Sequence, residues 1–299
     1  WIVQGSFAAK AHSSVGAALR RLPLLAEVFV RSLLMTVVIV IVALSLQFAL
    51  YAELLQLHWF TFHWFKTTLP WIVAVGLTIS LMVGIVAETA RLIGGPLLAS
   101  IVLGTYHRPV REQLIVMFLD LADSTALAEK LGELRVHDLI TRVFFDIDEP
   151  ITDHGGSVLA YVGDEVIITW PVTDGPARNA RCLACFFAID NKITGLSNEY
   201  KEEFETVPRF RAGLHSGPVI VGECGGFKRQ LAYFGDTMNV SARLCEYCKL
   251  RGCNLIVSGD VLSRVMIPQT LQLGAGQSIA LRGRNRLLEV HDAHPIADN

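Results

Sequence analysis

With 299 residues the chain has room for about two domains. Hydrophobic residues make up 52% of it and the mean hydropathy is +0.44, which excludes an ordinary water-soluble protein and directs attention to membrane segments. The formal net charge of −2 excludes a globally basic, nucleic-acid-binding surface.

Residues 1–31 read as an N-terminal cytoplasmic segment; they begin with Trp1 rather than Met, as a fragment or a processed chain would. Residues 32–87 read as a membrane domain. Within it, residues 32–52 and 67–87 carry no charge, and each is about the ~20 residues a helix needs to cross a bilayer. The segment between them holds Trp59, Phe60, Phe62, Trp64 and Phe65, aromatic residues that favour the membrane–water interface. Lys10, Arg20, Arg21 and Arg31 precede the first stretch, and Arg91, Arg108 and Arg111 follow the second. Lys66 alone lies between, so the positive-inside bias puts both chain ends in the cytoplasm. The competing reading is a pair of buried core helices, which rarely run so long without a charge. Residues 88–111 read as a juxtamembrane linker, broken at Gly94, Gly95 and Pro96, with an apolar stretch over 97–106 too short to span.

Residues 112–293 read as a globular domain. Leu114 to Leu119 predicts a strand covered on both faces. It ends on Asp120, and Asp123 or Ser124 is placed to cap a short helix that stops at Gly132. Val136, Leu139, Ile140, Val143, Ile147 and Ile151 recur at helical spacing, up to Gly155. "SVLAYVGDEVIITW" predicts a hairpin turning at Gly163-Asp164. Asp174 and Pro176 open a helix to about Phe204. "RFRAGLHSGPVIVGE" reads as strand, turn, strand. Asp236 is placed to cap a helix through Leu250, and short strands near Leu255 to Val257 and Leu287 to Val290 finish the domain. This order predicts an α+β sandwich, antiparallel or mixed, with helices on one face.

Two carboxylates at adjacent strand ends, Asp120 and Asp164, suit hard cations such as magnesium, whose shell substrate phosphates complete. The backbone N–H groups of Leu121, Ala122, Asp123, Ser124 and Thr125 lie at a helix start and suit a phosphate. Asn239 and Arg243, at i and i+4, share a helix face and suit a phosphoryl centre. Taken singly, each has a plainer reading, as cap, turn residue or solvated face; their value lies in occurring together. Cysteines stand at 182, 185, 224, 245, 248 and 253. Two C-x-x-C spacings invite zinc, but both fall in helical patterns, where small buried hydrophobes are the simpler reading.

These residues resemble the class III adenylate/guanylate cyclases, over residues 106–290. "FLDLADST", "YVGDEVIITW", "RAGLHSGPVIVGECG" and "YFGDTMNVSARL" are similar to the family's signature segments, in order, and "TYHRPVRE" resembles the lead-in of membrane-anchored bacterial members. The resemblance implies a ferredoxin-like catalytic sandwich preceded by a transmembrane helical hairpin, in a multi-pass protein of the cell inner membrane with a cytoplasmic catalytic domain. It implies two Mg²⁺ per site, with Mn²⁺ as a substitute, held by Asp120, Asp164 and the Leu121 carbonyl. Asn239 and Arg243 fall where the family orients the ribose and stabilises the transition state. Arg282 stands where many members have a phosphate-binding Lys, with a different geometry. The implied reaction converts ATP to 3′,5′-cyclic AMP and pyrophosphate, at a site shared by the two chains of a homodimer. Implied partners are ATP, a second copy of the chain, membrane lipid and an unidentified membrane or periplasmic signal.

Three departures stand out. Ala160 and Ala232 occupy the base-recognising positions, and Asp123 and Ser124 replace a frequent Gly-Phe. Cyclic AMP is the expected main product. A guanylate or dual-specificity cyclase and a catalytically silent cyclase-fold receptor or scaffold are the alternatives; a diguanylate cyclase fits less well, because Val162 and Val166 flank Gly163-Asp164-Glu165.

Overall fold

The structure, a computed structural model, describes residues 24–49, 62–93, 104–225, 230–281 and 286–296. The expectations for residues 1–23, the break at 94–96, most of the apolar stretch over 97–106, and Arg282 fall outside these residues. The chain divides into two compact units, Trp1–Thr105 and Tyr106–Asn299.

The N-terminal unit holds α1 (Leu24–Ala49) and α2 (Phe62–Ile93). They pack through small residues. Ser32 Oγ donates to the Ser80 carbonyl at 3.4 Å, and a Cβ on Gly76 would stand 3.5 Å from Ile39 and 3.7 Å from Thr36. Ser32, Thr36 and Ser80 are buried, whereas Leu33, Leu34, Val37, Val38, Ile41 and Val42 face outward. This inverts a water-soluble pair and matches helices that associate in lipid through close backbone approach. Thr36 Oγ1 donates to the Ser32 carbonyl at 2.8 Å, so its hydroxyl is satisfied inside the helix. Among the described residues one helix, Lys66–Ala90, is long and apolar enough to cross a bilayer; the apolar part of α1, Ser32–Leu46, is shorter. Of the two expected spans, 67–87 falls within Lys66–Ala90, and 32–52 extends past the described residues at Ala49.

The C-terminal unit is built on β1 (Val110–Leu121), β2 (Ser157–Val162), β3 (Glu165–Pro171), β4 (Phe210–Cys224), β5 (Gln230–Phe234), β6 (Leu255–Ser258), β7 (Leu271–Leu273), β8 (Gln277–Ile279) and β9 (Leu288–Pro295). The strand order is β2-β3-β1-β4-β6-β9-β7, with β5 on β4 and β8 on β9. The β4–β6 pair is parallel and the others are antiparallel. The helices are α3 (Ser124–Leu131), α4 (Glu133–Asp153), α5 (Pro176–Asn179), α6 (Arg181–Gly195), α7 (Ser197–Phe204), α8 (Asp236–Arg251) and α9 (Gly259–Leu262).

Strand β1 explains the layering. Ile115, Met117, Leu119 and Leu121 join one core with Leu139, Val143 and Ile147 of α4 and Leu183, Phe186 and Ile189 of α6. Leu114, Val116 and Phe118 join another with Cys245, Met238 and Ala242 of α8. Alternate residues of a strand point to opposite faces, so the continuous apolar run marks a doubly covered strand. Helices therefore lie on both faces of the sheet, not on one as expected: α8 takes the face opposite α4 and α6.

Two segments differ from their sequence reading for local reasons. "RFRAGLHSGPVIVGE" runs on as a single strand through Gly217 and Pro218. Pro218 falls between the stretches of β4 that pair with β6 and with β5, where no strand needs its missing N–H. The helix expected up to Phe204 breaks into α5, α6 and α7. The buried Asn179 side chain holds the first break by bonding Thr173 and the Arg264 carbonyl, at 2.8 and 2.9 Å.

The sheet and α8 meet most closely at Gly213. A Cβ there would lie 2.4 Å from Cys245 N, 2.6 Å from Ser241 O and 2.7 Å from Leu244 C, all backbone atoms that cannot rotate away. Ser241 Oγ bonds the Val116 carbonyl at 3.2 Å beside it, a contact that needs this spacing. Gly213→Ala is expected to destabilise the unit by about 1–3 kcal/mol through overpacking. A lowered urea midpoint with an unchanged slope checks it; an unchanged midpoint would mean that α8 shifts freely.

Candidate active site

Asp120 lies near the end of β1, half-buried, directly opposite Glu165 of β3 and Arg211 of β4. The β2–β3 turn at Gly163, with φ of 64°, brings Asp164 close enough for its carboxyl group to act on that of Asp120. Burial first, then the charge of Asp164, pushes Asp120 up from 3.8 to about 6, and Lys249 of α8 opposes the rise. Burial likewise raises Glu165, and Asp164 adds to it. The site is thus a concentration of negative charge with too little positive charge around it, an environment that favours a bound cation. The donors fit magnesium, which takes one or two carboxylates and fills its shell with water and phosphate oxygens. No group of three or more His, Cys, Asp or Glu able to hold a metal occurs among the described residues.

The turn after Asp120 departs from the expected cap. Asp123 adopts left-handed φ 60° and ψ 27°, and its side chain makes no cap bond. It accepts a hydrogen bond from Arg211 Nη2 at 3.1 Å instead. Ala122 spends its N–H on the Arg209 carbonyl at 2.8 Å, and Leu121 pairs with Phe210 in the ladder. Ser124 and Thr125 open the first turn of α3, where N–H groups have no acceptor within the helix. Ser124, Thr125, Gly163 and Asp164 line one end of a cleft of about 640 Å³ whose other wall includes Ile140, Phe144 and Tyr161.

Arg211 is the residue that sequence reasoning missed. Its guanidinium is largely buried, and Nη1 has no partner within the chain. A buried guanidinium N–H without a partner is a donor that the chain itself leaves unsatisfied. The available signal was its alternation with Gly213 and His215 on β4, which marks an inward-facing charge on a central strand.

Asn239 and Arg243 lie on α8, exposed and half-buried respectively. The face of α8 that meets Asp120 is set by Cys245, whose Sγ bonds the Arg211 carbonyl at 3.5 Å, and by Lys249. At about 100° per residue, Arg243 lies roughly 200° around the helix from Cys245. Within one chain Asn239 and Arg243 therefore point away from the carboxylates. Ala160 packs with Leu231 and Tyr233 against the apolar face under α8. Ala232 alternates to the other side of β5 from those two residues. Neither alanine offers a side-chain hydrogen bond.

Residues 107–290 match the family model described as the adenylate and guanylate cyclase catalytic domain. The chain is 35% identical to adenylate cyclase 2 of Rhizobium meliloti (strain 1021) over 205 residues, 69% of this chain and 56% of that protein. It thus spans about half the length of that relative. The crystal structure of the adenylyl cyclase CyaB from P. aeruginosa superposes with a TM-score of 0.55 at 20% identity, covering 64% of this chain and 97% of that one. The guanylyl cyclase Cya2 superposes with a TM-score of 0.55 at 17% identity, covering 63% and 95%. At these identities the superpositions show a shared fold.

The carboxylate pair makes a pH prediction for metal-free protein. The folded state keeps the Asp120 proton up to about pH 6, whereas the unfolded chain releases it near 3.8. The associated stability is present in full below the unfolded value and is lost as pH rises through the folded one. Asp120→Asn is expected to remove this dependence and to unfold at higher urea than wild type near neutral pH, in the presence of chelator. Midpoints that fall equally in both proteins between about pH 4 and about pH 7 would place the proton elsewhere.

Proposed function

Since this chain belongs to the adenylate and guanylate cyclase catalytic-domain family, we propose that it is a membrane-anchored adenylate cyclase converting ATP to 3′,5′-cyclic AMP and pyrophosphate at a homodimer interface. The observation that carries the reading is the half-buried Asp120–Asp164 pair, short of positive charge, whose Asp164 lines the cleft. Asp120, Asp164 and the Leu121 carbonyl would hold the divalent cations, Mg²⁺ or Mn²⁺. When bound, these cations neutralise phosphate charge and make the ribose 3′-hydroxyl easier to ionise.

The chain's own groups do the rest. Ser124 and Thr125 offer helix N-terminal N–H groups to the polyphosphate. Arg243 supplies positive charge to the pentavalent phosphorus, and Asn239 fixes the ribose so that the 3′-oxygen lies in line with the leaving pyrophosphate. Because Asn239 and Arg243 face away from the carboxylates of their own chain, they serve the site of a second copy, and a twofold dimer then contains two equivalent sites. Arg282 is proposed for the pyrophosphate end of the substrate. The outward apolar faces of α1 and α2 support insertion in a membrane. One observation favours GTP as a secondary substrate: Ala160 and Ala232 leave the purine edge without side-chain partners, and a pocket lacking such bonds discriminates weakly.

Incubating the purified full chain with ATP or GTP and Mg²⁺ or Mn²⁺, and identifying the product by mass, tests the function. Cyclic AMP is expected as the main product, with detectable cyclic GMP. Asp120→Ala and Asp164→Ala should each lower turnover by about 100-fold or more while leaving the fold and the dimer intact. Activity within a few-fold of wild type in either would sink the metal assignment.

Subunit exchange tests the shared site. Asp120→Ala and Arg243→Ala proteins, each inactive, should recover roughly a quarter of wild-type activity on random mixing, since half the dimers then hold one intact site of two. Verified exchange without recovery would argue for a site within one chain.

A further inference from the structure

The end of α8 holds a second chemical feature, which does not depend on the cyclase reading. Gly252 takes a left-handed φ of 69°, Cys253 donates its N–H to the Cys248 carbonyl at 3.2 Å, and Gly252 donates to Lys249 at 3.3 Å. This is the Schellman hydrogen-bond pattern, and it brings together the side chains of the two residues that share its longer bond. Those side chains are usually apolar. Here they are thiols, both unbridged, with sulfur atoms 3.2 Å apart. A disulfide needs about 2.05 Å, so a small rotation of the two side chains closes the gap.

We propose that Cys248 and Cys253 are a redox-sensitive thiol pair, oxidised reversibly to an intrachain disulfide by a hydroperoxide. Cys253 is the attacking residue. It is half-buried and lines a cavity of about 60 Å³ with Tyr247, Arg251 and Gln277, whereas Cys248 is fully buried. The hydrogen bond from Cys248 holds the Cys253 thiol below its ordinary range, and Arg251 adds to the effect. The other buried cysteines are poor competitors: burial pushes Cys182, Cys185 and Cys245 up to about 12. The reaction balances in two steps. The Cys253 thiolate attacks one peroxide oxygen, the O–O bond breaks, and the other oxygen leaves and takes a proton, giving a sulfenic acid and an alcohol or water. Cys248 sulfur then attacks Cys253 sulfur, the S–O bond breaks, and the departing hydroxide takes the Cys248 proton as water. Two thiols are oxidised by two electrons, and one hydroperoxide is reduced. The new bond ties the last turn of α8, the helix that bears Asn239 and Arg243, to the loop two residues before β6.

The test uses the purified full chain with Cys224→Ser, which removes an exposed thiol able to bridge between molecules. Reduced protein is titrated with hydrogen peroxide, blocked with an alkylating reagent and digested. Trypsin cuts after Lys249 and Arg251, so the two cysteines appear in one linked species only if the bond has formed. The expected result is a linkage assigned by fragment ions to Cys248 and Cys253, reversed by a dithiol, at peroxide concentrations at least about tenfold below those that oxidise Cys182 or Cys185. Cys248→Ser should stop at a Cys253 sulfenic acid trapped by a dimedone probe. The linkage measured without that variant already decides the proposal. Cys253 oxidised while Cys248 stays alkylatable in the Cys248-containing protein, or both thiols untouched when the buried pair has reacted, would overturn it.

Discussion

Helix α8 can lie on the sheet only because residue 213 has no side chain. A Cβ on residue 213 would stand 2.4 Å from Cys245 N, so helix backbone packs directly on strand backbone, and this contact constrains both the height and the rotation of the helix. Rotation is the part that matters for chemistry. With Cys245 and Lys249 turned towards Asp120, the i and i+4 residues Asn239 and Arg243 must face outward. One steric constraint in the core therefore divides the polar residues of the unit into an inner set, with the carboxylates and Arg211, and an outer set. The two sets stand on different faces of α8, which is the arrangement the proposed two-chain site draws on.

The inner set is assembled at a cost in stability. Asp120, Asp164 and Glu165 crowd at neighbouring strand ends, where burial and mutual repulsion hold Asp120 well above the ordinary carboxylate range and raise Glu165. Such groups weaken an isolated fold and are retained where a ligand of opposite charge relieves them. The surrounding core compensates: β1 is packed on both faces, and Arg142 pairs with Asp146, Glu199 and Glu203 to join α4 to α7 away from the site. Rigid surroundings hold the charges where relaxation would otherwise separate them.

What the sequence revealed depended on range. The run from Leu114 to Leu119, the Gly163-Asp164 turn and the helical spacing on α4 are local patterns, and they were enough to bring Asp120 and Asp164 to neighbouring strand ends. The pairing of Asp120 with Arg211 is a register between residues far apart in sequence, and no local pattern encodes it. The side of the sheet taken by α8 was hidden for the same reason, since it follows from a glycine on another element. The cysteines show how spacing misleads. Cys245 and Cys248 have the textual C-x-x-C signature, yet the sulfur that Cys248 meets belongs to Cys253, because a helix cap rather than a helix face brings them together. Gly217-Pro218 read as a turn because its punctuation is usually reliable; a gap between neighbouring strands removed the reason for one.

Asp123 carries a consequence for how such a site can vary. A backbone at φ 60° admits glycine, asparagine and aspartate with little strain and most other residues only at a penalty. In the genetic code, glycine and aspartate codons are one nucleotide apart, so a turn occupied by glycine reaches aspartate in a single step without disturbing the chain path. The exchange also adds a carboxylate that holds one arm of Arg211 inside its own chain, while the other arm stays buried without a partner there. Over generations, this single position can set the charge beside Arg211 while the chain path stays the same.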